Sequence, residues 1–270
     1  MQKEKIHLAG VKQTLLVTLV ARARESRSAN PILKDPSAED VIKRLDYDLG
    51  ALKISQDDQL RFVMRAKLLD GWTSEFLAAN PGATVLSLGC GLDGRILRVN
   101  PPSSVDWYDL DYPDVIVLRR HFFEERPGYH MIASSVTDPD WLDRVPGRRS
   151  VMVVAEGLLI YLSEDEVREL LGRMLGHFSG GLMAFDALLP FAVRIAKHLP
   201  GLPKMWAVRW GLDDPRLIEQ WFPRLKFIAE TIILDSPAIS RLPSLTRMAV
   251  QAANRVPALR RTHRLLRYRF

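Results

Sequence analysis

From residue 84 onward, short apolar runs alternate with helical stretches, and this alternation limits the fold more than any other feature. The runs cover 84–88, 105–109, 129–133, 150–155 and 181–186. Apolar runs this short match strands buried on both faces. Strands separated by helical crossovers form a parallel sheet with helices on both sides, so the spacing predicts an α/β, doubly wound sheet. The C-terminal part continues the pattern. A helix is predicted over 213–222, a strand over 225–234, a helix around 238–254 and a last strand over 263–270. The closing "HRLLRYRF" alternates apolar and basic residues, which places its charges on a strand rather than on a disordered tail.

Helices come before the sheet. They are predicted over 11–25, over 38–50 with Ser37 as a cap after Pro36, and from about Asp57 to Ala79. In the last, Leu60, Val63, Met64, Leu68, Leu69, Trp72 and Phe76 recur at helical spacing until Asn80-Pro81-Gly82 stops them. The helix over 164–178 opens on a capping box, Ser163 with Glu166, and carries an apolar stripe from Val167 to Phe178. Residues 187–212 break the rhythm. They are apolar, hold three prolines and two tryptophans, and read as an insertion. A chain of 270 residues, 47% hydrophobic, can bury one large core. One domain over 1–270 is therefore expected, with helices over 1–80, a ligand-binding core over 81–186, the insertion over 187–212 and the rest of the sheet over 213–270.

The net charge of +6 comes without a nucleic-acid motif, so no nucleic-acid partner is expected. No apolar run approaches the ~20 residues of a membrane span. The run Leu15–Val20 is shorter than the ~7–15 apolar residues of a signal peptide and reads as part of a mature helix. With a single cysteine, Cys90, no intrachain disulfide can form, which suits a reducing, cytoplasmic compartment. The six histidines have no metal-ligand spacing, and no metal is expected.

The first apolar run leads into "VLSLGCGLDGRILRV", in which Gly89, Gly91 and Gly94 spell G-x-G-x-x-G. Glycines there let the backbone turn tightly and approach a ligand at the point where the strand order reverses. An acid about 20 positions on grips a ribose. Asp109 and Asp111 both qualify, and a dinucleotide and S-adenosylmethionine share that ribose. Three features favour S-adenosylmethionine. The helix after the loop must stop before Asn100-Pro101-Pro102, so it has only about two turns, whereas a pyrophosphate favours a longer helix dipole. Asp93 would repel a pyrophosphate but not a sulfonium. No second catalytic domain, such as a dehydrogenase needs, is expected beside the sheet. In "VMVVAEGLLIYL", Glu156 and Gly157 stand where a buried strand leaves the core, and a carboxylate there needs a partner or a ligand.

These segments carry a resemblance. "LGCGLDGRILRV", "DLDYPDVIVLRR", "TDPDWLDRV" and "VVAEGLLIYLSEDEVRELL" occur in the order seen in the leucine carboxyl methyltransferase family. Within it the chain is most similar to the small bacterial, tetracenomycin-type polyketide O-methyltransferases, over about residues 14–230. The resemblance implies a Rossmann-like class I methyltransferase sheet, mostly parallel with an antiparallel last strand, and an N-terminal helical lid. It also implies S-adenosylmethionine as cofactor. Arg65 then matches an arginine pairing with the methionine carboxylate, and Arg27 a second basic residue. Gly89, Cys90 and Gly91 lie under the methionine moiety with Asp93. Asp111 matches the ribose-binding acid better than Asp109, and Glu156 with Gly157 the cleft floor. The family usually has an aspartate near the adenine. Here Ser134-Ser135-Val136 stands in its place, leaving Ser135 and a backbone N–H near Val136 for that contact.

In-line transfer from a sulfonium mainly requires alignment and exclusion of water. A hydroxyl acceptor benefits from a general base, while a carboxylate needs none. By residue type alone, His121, His177, His198 and Tyr161 are candidates. Tyr161, Trp206 and Trp210 are expected to contact the acceptor. The expected reaction is O-methylation of a small apolar metabolite, polyketide-like or aromatic, at a hydroxyl or carboxylate. Methylation of a protein C-terminus, a nucleotide-binding oxidoreductase and a non-catalytic binding protein are the alternatives.

Overall fold

The computed structural model describes residues 4–5, 10–52, 54–198 and 207–270. A two-residue strand β1 (Glu4–Lys5) pairs in parallel with β2 (Leu45–Asp46). Between them lie helices α1 (Thr14–Ser26) and α2 (Pro36–Arg44). α2 starts where the Asp35 carboxylate accepts the Ala38 N–H at 3.0 Å. It stops at Arg44, short of the predicted residue 50, because Leu45 and Asp46 turn out to pair with β1. The long helix α3 (Gln56–Ala79) matches its prediction closely, with Ser55 capping the Asp58 N–H.

The main sheet follows: β3 (Thr84–Leu88), β4 (Asp106–Asp111), β5 (Tyr129–Ala133), β6 (Val151–Ala155), β7 (Gly181–Leu188), β8 (Lys226–Ile232) and β9 (His263–Arg269). Its order is β5-β4-β3-β6-β7-β9-β8. β3 to β7 are mutually parallel, and β9 runs antiparallel to both β7 and β8. The fold class read from the alternation is the one observed.

Alternate residues of each strand feed two separate cores, which explains the unbroken apolar runs. Leu86, Leu88, Val151 and Val153 face a core shared with Val167, Leu170 and Met174 of α6 (Glu164–His177). Val85, Met152 and Val154 face the other core, with Leu16 of α1, and Leu69 and Phe76 of α3. The chain leaves β3 for β4 on one side and returns through β6 on the other. The carboxyl ends of β3 and β6 therefore flank a crevice, the usual ligand position of such sheets.

α4 (Arg95–Val99) and α5 (Pro113–Arg120) complete the first half. In the second half, β7 is followed by α7 (Pro190–His198). Residues 207–212 then run back along the crevice, where Arg209 and Trp210 donate N–H groups to the Ile160 carbonyl at 2.7 and 3.1 Å. The chain continues through α8 (Arg216–Trp221), α9 (Ser244–Asn254) and α10 (Pro257–Arg260). The single helix predicted around 238–254 is split. Pro243 holds Leu242 extended, so a 3-10 turn over Pro237–Arg241 precedes α9. Among the described residues, no helix is long and apolar enough to cross a membrane.

Candidate active site

A cavity of about 660 Å³ opens at the carboxyl ends of β3, β4 and β6, and α1 and α3 cover it. Its floor is the loop after β3. Gly89 and Gly91 lie at φ +64° and +50°, a region that L side chains rarely adopt. The loop is tied to β4 at two points. Cys90 donates its N–H to the Leu110 carbonyl at 3.1 Å, and Gly91 donates its own to Asp111 Oδ2 at 2.7 Å. Tyr112 N–H donates to Asp111 Oδ1 at 2.7 Å. Burial pushes the Asp111 carboxyl up, and these two donors counter it. Burial also pushes the Cys90 thiol up, so it stays protonated.

Of the two acids that the spacing left open, Asp111 lines the cavity. Asp109 is buried beneath the loop, in the core that holds Trp107 and Tyr129. There it accepts from Trp107 Nε1 at 2.8 Å, from the Tyr129 hydroxyl at 2.7 Å, and from Arg119. Arg119 also donates to the Gly91 carbonyl at 2.9 Å, so this pair braces the loop from behind.

A buried network of ion pairs surrounds the rest of the cavity. Asp93 meets Arg98 at 2.7 Å, Arg95 at 3.3 Å and Arg22 at 3.7 Å. Burial opposes its ionisation, but the three guanidiniums hold its carboxyl well below the usual range. Asp93 is thus a neutralised hub, and the bare repelling charge expected of it is absent. Asp35 joins Arg22 at 3.0 Å to Arg98 at 2.8 Å, and Asp70 joins Arg95 to Arg98, each at 2.7 Å. α1, α2, α3 and α4 are locked together through these contacts.

Glu156 accepts from Arg65 Nε at 3.0 Å and from Arg95. Arg65 also reaches Asp186, at the end of β7, through Nη1 at 3.0 Å. Its Nη2 has no hydrogen bond among the described residues. Gly157, just past β6, donates its N–H to Asp186 Oδ1 at 2.5 Å. His263, the first residue of β9, contacts Asp186 Oδ2 through Nε2 at 3.0 Å and lines the cavity. Tyr161 lines it too. Its hydroxyl bonds Thr14 of α1, and burial raises its pKa.

Gly89, Cys90, Gly91, Asp93, Asp111, Arg65, Glu156, Gly157 and Tyr161 are thus brought together around one cavity. Several other expected residues are not. Arg27 sits past the end of α1, half exposed, and pairs with Glu39 at 3.3 Å; the arginine of α1 that reaches the cavity is Arg22. Ser135 bonds the Thr137 hydroxyl at 2.8 Å, and Val136 is packed in the core; Thr137 is the residue of that turn lining the cavity. Trp210 is buried in the sheet core beside Phe185, and neighbouring Ala207, Val208 and Arg209 face the cavity instead. Trp206 lies outside the described residues. His198 is exposed at the end of α7, bonded to the Arg194 carbonyl at 2.8 Å. His177 bonds the Val145 carbonyl, and His121 pairs with Glu4; neither lines the cavity.

Sequence reasoning missed Arg22, Thr137, Asp186 and His263. Asp186 had a usable signal. Like Glu156, it is a lone carboxylate at the end of a buried run, "GLMAFDALL".

The family model for leucine carboxyl methyltransferases matches residues 15–175. The tetracenomycin polyketide synthesis O-methyltransferase TcmP of Streptomyces glaucescens is 43% identical over 268 residues, covering 99% of both chains. The S-adenosyl-L-methionine-dependent methyltransferase dpfgK of Gibberella zeae is 36% identical over 260 residues, 88% of this chain and 87% of that one. Among solved structures, a DUF574 family protein of Streptomyces avermitilis superposes with a TM-score of 0.55 at 13% identity, covering 93% of this chain and 96% of its own. The N-methyltransferase NodS of Bradyrhizobium japonicum, in complex with S-adenosyl-L-homocysteine, gives a TM-score of 0.51 at 13% identity, covering 93% and 97%. The chain belongs to the leucine carboxyl methyltransferase family, and it is a methyltransferase.

Proposed function

We propose that the chain transfers the methyl group of S-adenosylmethionine to an oxygen of a small, largely apolar acceptor of polyketide-like or aromatic type. One observation carries this reading. A single cavity runs from Asp111, past the Gly89–Gly91 loop and Glu156, to an apolar wall of Ile160, Leu188, Ala196 and Val208. One end suits a nucleoside and the other an apolar ring. The name of the relative TcmP, a polyketide synthesis O-methyltransferase, points the same way.

The residues fit the cofactor. Two backbone donors fix the Asp111 carboxylate, and its remaining lone pairs accept the two ribose hydroxyls. The backbone of Gly89–Gly91 admits the methionine chain closely. Arg65, already oriented by Glu156 and Asp186, offers Nη2 to the cofactor carboxylate. Thr137 lies where the adenine would rest. When bound, the cofactor supplies a methyl group activated by its sulfonium. The protein aligns the acceptor oxygen and keeps water out. Tyr161, bonded to Thr14, ties the lid helix α1 to that acceptor end.

The test is transfer from methyl-labelled S-adenosylmethionine to a panel of hydroxylated and carboxylated aromatic compounds, with a peptide bearing a C-terminal leucine as comparison. Label in the aromatic fraction is expected. Label in the peptide alone would overturn the acceptor class.

A further inference from the structure

We propose that the outer face of α9 and α10 docks on an anionic lipid surface, which makes the chain a peripheral membrane binder. The inference stands apart from the methyl-transfer reading above and goes beyond it.

An amphipathic helix at a protein surface normally turns its apolar stripe to the core. α9 does the reverse. Leu245, Met248, Ala249 and Ala252 recur at i, i+3, i+4 and i+7, and Val256 and Leu259 continue the stripe into α10. All six are exposed, Leu245 to 83% and Met248 to 64%. The side that holds α9 to the body has less to offer. Val250 is buried there, in a small core with Ile239, Leu242 and, from α3, Leu60 and Met64. Thr246, Arg247 and Ala253 are half-buried. Packing onto the body thus does not account for the outward stripe, which forms an exposed apolar ridge.

Charge is segregated to the same end of the chain. From Ser236 to Phe270 there are eight arginines and no aspartate or glutamate. Arg247 donates to the Ser240 carbonyl at 3.1 Å, and Arg255 is exposed just past α9. Neither has a carboxylate partner among the described residues. The other arginines near the ridge are paired: Arg241 with Glu25 at 3.3 Å, Arg260 with Asp235 at 2.6 Å, and Arg261 with Glu230 at 3.3 Å. An apolar ridge flanked by free guanidiniums suits an anionic bilayer. The apolar side chains enter the acyl boundary, and the guanidiniums meet the headgroup phosphates.

Other occupants fit less well. Even taken as one helix over 244–260, the ridge is about 25 Å long and about 10 Å wide, a footprint of about 250 Å². A stable protein interface needs about 800 Å² per partner. A second copy would also bring a second set of arginines to the same ridge. A nucleic acid would satisfy the arginines but leave Leu245 and Met248 without an apolar partner. A bilayer is soft, and protruding side chains need no matching groove in it. The ridge and the cavity share one helix: Leu60 and Met64 of α3 pack with the α9 side, and Phe62 and Arg65 line the cavity.

Sedimentation of the full chain with large vesicles tests this. Vesicles of three parts phosphatidylcholine to one part phosphatidylglycerol should carry the chain down, and pure phosphatidylcholine should not. Raising salt from about 50 to about 500 mM should weaken the binding. Leu245→Gln with Met248→Gln removes the apolar contribution and should lower partitioning at least about tenfold. Arg247→Gln with Arg255→Gln should lower it about 10- to 30-fold. Thermal melting checks that both variants fold; if the first does not, the arginine pair decides. No sedimentation with either vesicle, equal sedimentation with both, or wild-type binding by the variants overturns the proposal. A wild-type dimer in sedimentation velocity that Leu245→Gln with Met248→Gln disperses gives the ridge to a second copy and overturns it too. Vesicle binding is read without cofactor or acceptor, so it stands or falls separately from methyl transfer.

Discussion

Gly94→Ala is a substitution whose cost can be worked from the structure. Gly94 precedes α4 at φ −86°, a conformation open to alanine, so no backbone strain arises. The added Cβ would instead lie 2.0 Å from Ser37 Oγ, 2.9 Å from Ser37 Cβ and 3.4 Å from Phe123 Cε1. Rotating the Ser37 hydroxyl away breaks its 2.5 Å bond to Asp35, the residue that caps α2 and pairs with Arg22 and Arg98. Ser37 Cβ cannot rotate away, so the start of α2 must retreat. Overpacking of this kind costs about 1–3 kcal/mol. A lost hydrogen bond to a charged group adds about 1.5–3 kcal/mol, part of which solvent restores. A total of about 2–4 kcal/mol, at about 2–4 °C per kcal/mol for chains near this size, lowers Tm by about 4–16 °C. Thermal unfolding followed by circular dichroism measures it, in a cycle with Ser37→Gly, which removes both clashing atoms. The double variant should lose clearly less than the sum of the single losses. A Gly94→Ala chain as stable as the wild type, or strictly additive losses, would refute the reasoning.

Tyr161→Phe removes one hydrogen bond between the cavity wall and α1, a change of about 0.5–1.5 kcal/mol. It should raise the acceptor KM by about 2- to 12-fold and leave S-adenosylhomocysteine affinity unchanged; a KM equal to wild type refutes a role at the acceptor end. Glu156→Ala leaves Arg65 and Arg95 partly unpaired in a buried site, which costs about 3–5 kcal/mol of stability, and it should also weaken S-adenosylhomocysteine binding in calorimetry. Unchanged affinity in a folded variant counts against the floor assignment. Asp35, Asp93 and Asp186 bear on acid stability. Burial pushes each carboxyl up and the neighbouring guanidiniums outweigh it, so all three lie below the ordinary aspartate value. A folded-state value below the unfolded one adds stability that is complete above the unfolded value of about 3.9 and is lost as pH falls through the folded value. These groups therefore leave Tm flat between about pH 5 and 8 and lower it steeply below about pH 4. A loss of Tm already at pH 5.5 that Asp93→Asn abolishes would contradict this.

β3 and β6 were legible because each buries both faces and reads as a short apolar run, and α3 and α6 because their stripes and caps are local. α2 was read too long because its end depends on pairing between β2 and a strand some forty residues earlier. In the site, the glycine loop, Asp111 and Glu156 carry local signals: a turn, a spacing and a charge at a strand end. The ion-pair network does not. Arg22, Asp70, Arg95 and Arg98 sit on helices, where arginines and aspartates usually face solvent, and their partners lie as far off in sequence as Asp93 is from Arg22. His263 shows its partner only when β9 folds back beside β7, 77 residues from Asp186. Gly94 enters the sequence reading only as the third glycine of G-x-G-x-x-G. Its small size instead admits the start of α2. The tryptophans of the insertion suggested an acceptor wall by composition alone, and Trp210 spends its bulk in the core.

The central claim is that this cavity holds an adenosyl cofactor with its ribose on Asp111. Isothermal calorimetry of S-adenosylhomocysteine into the wild type and Asp111→Ala tests it most directly. The account predicts one-to-one binding to the wild type. It also predicts at least about a tenfold loss in the variant, from charge-assisted hydrogen bonds worth about 1.5–3 kcal/mol each. No binding to the wild type, or equal affinity in the two chains, would contradict it.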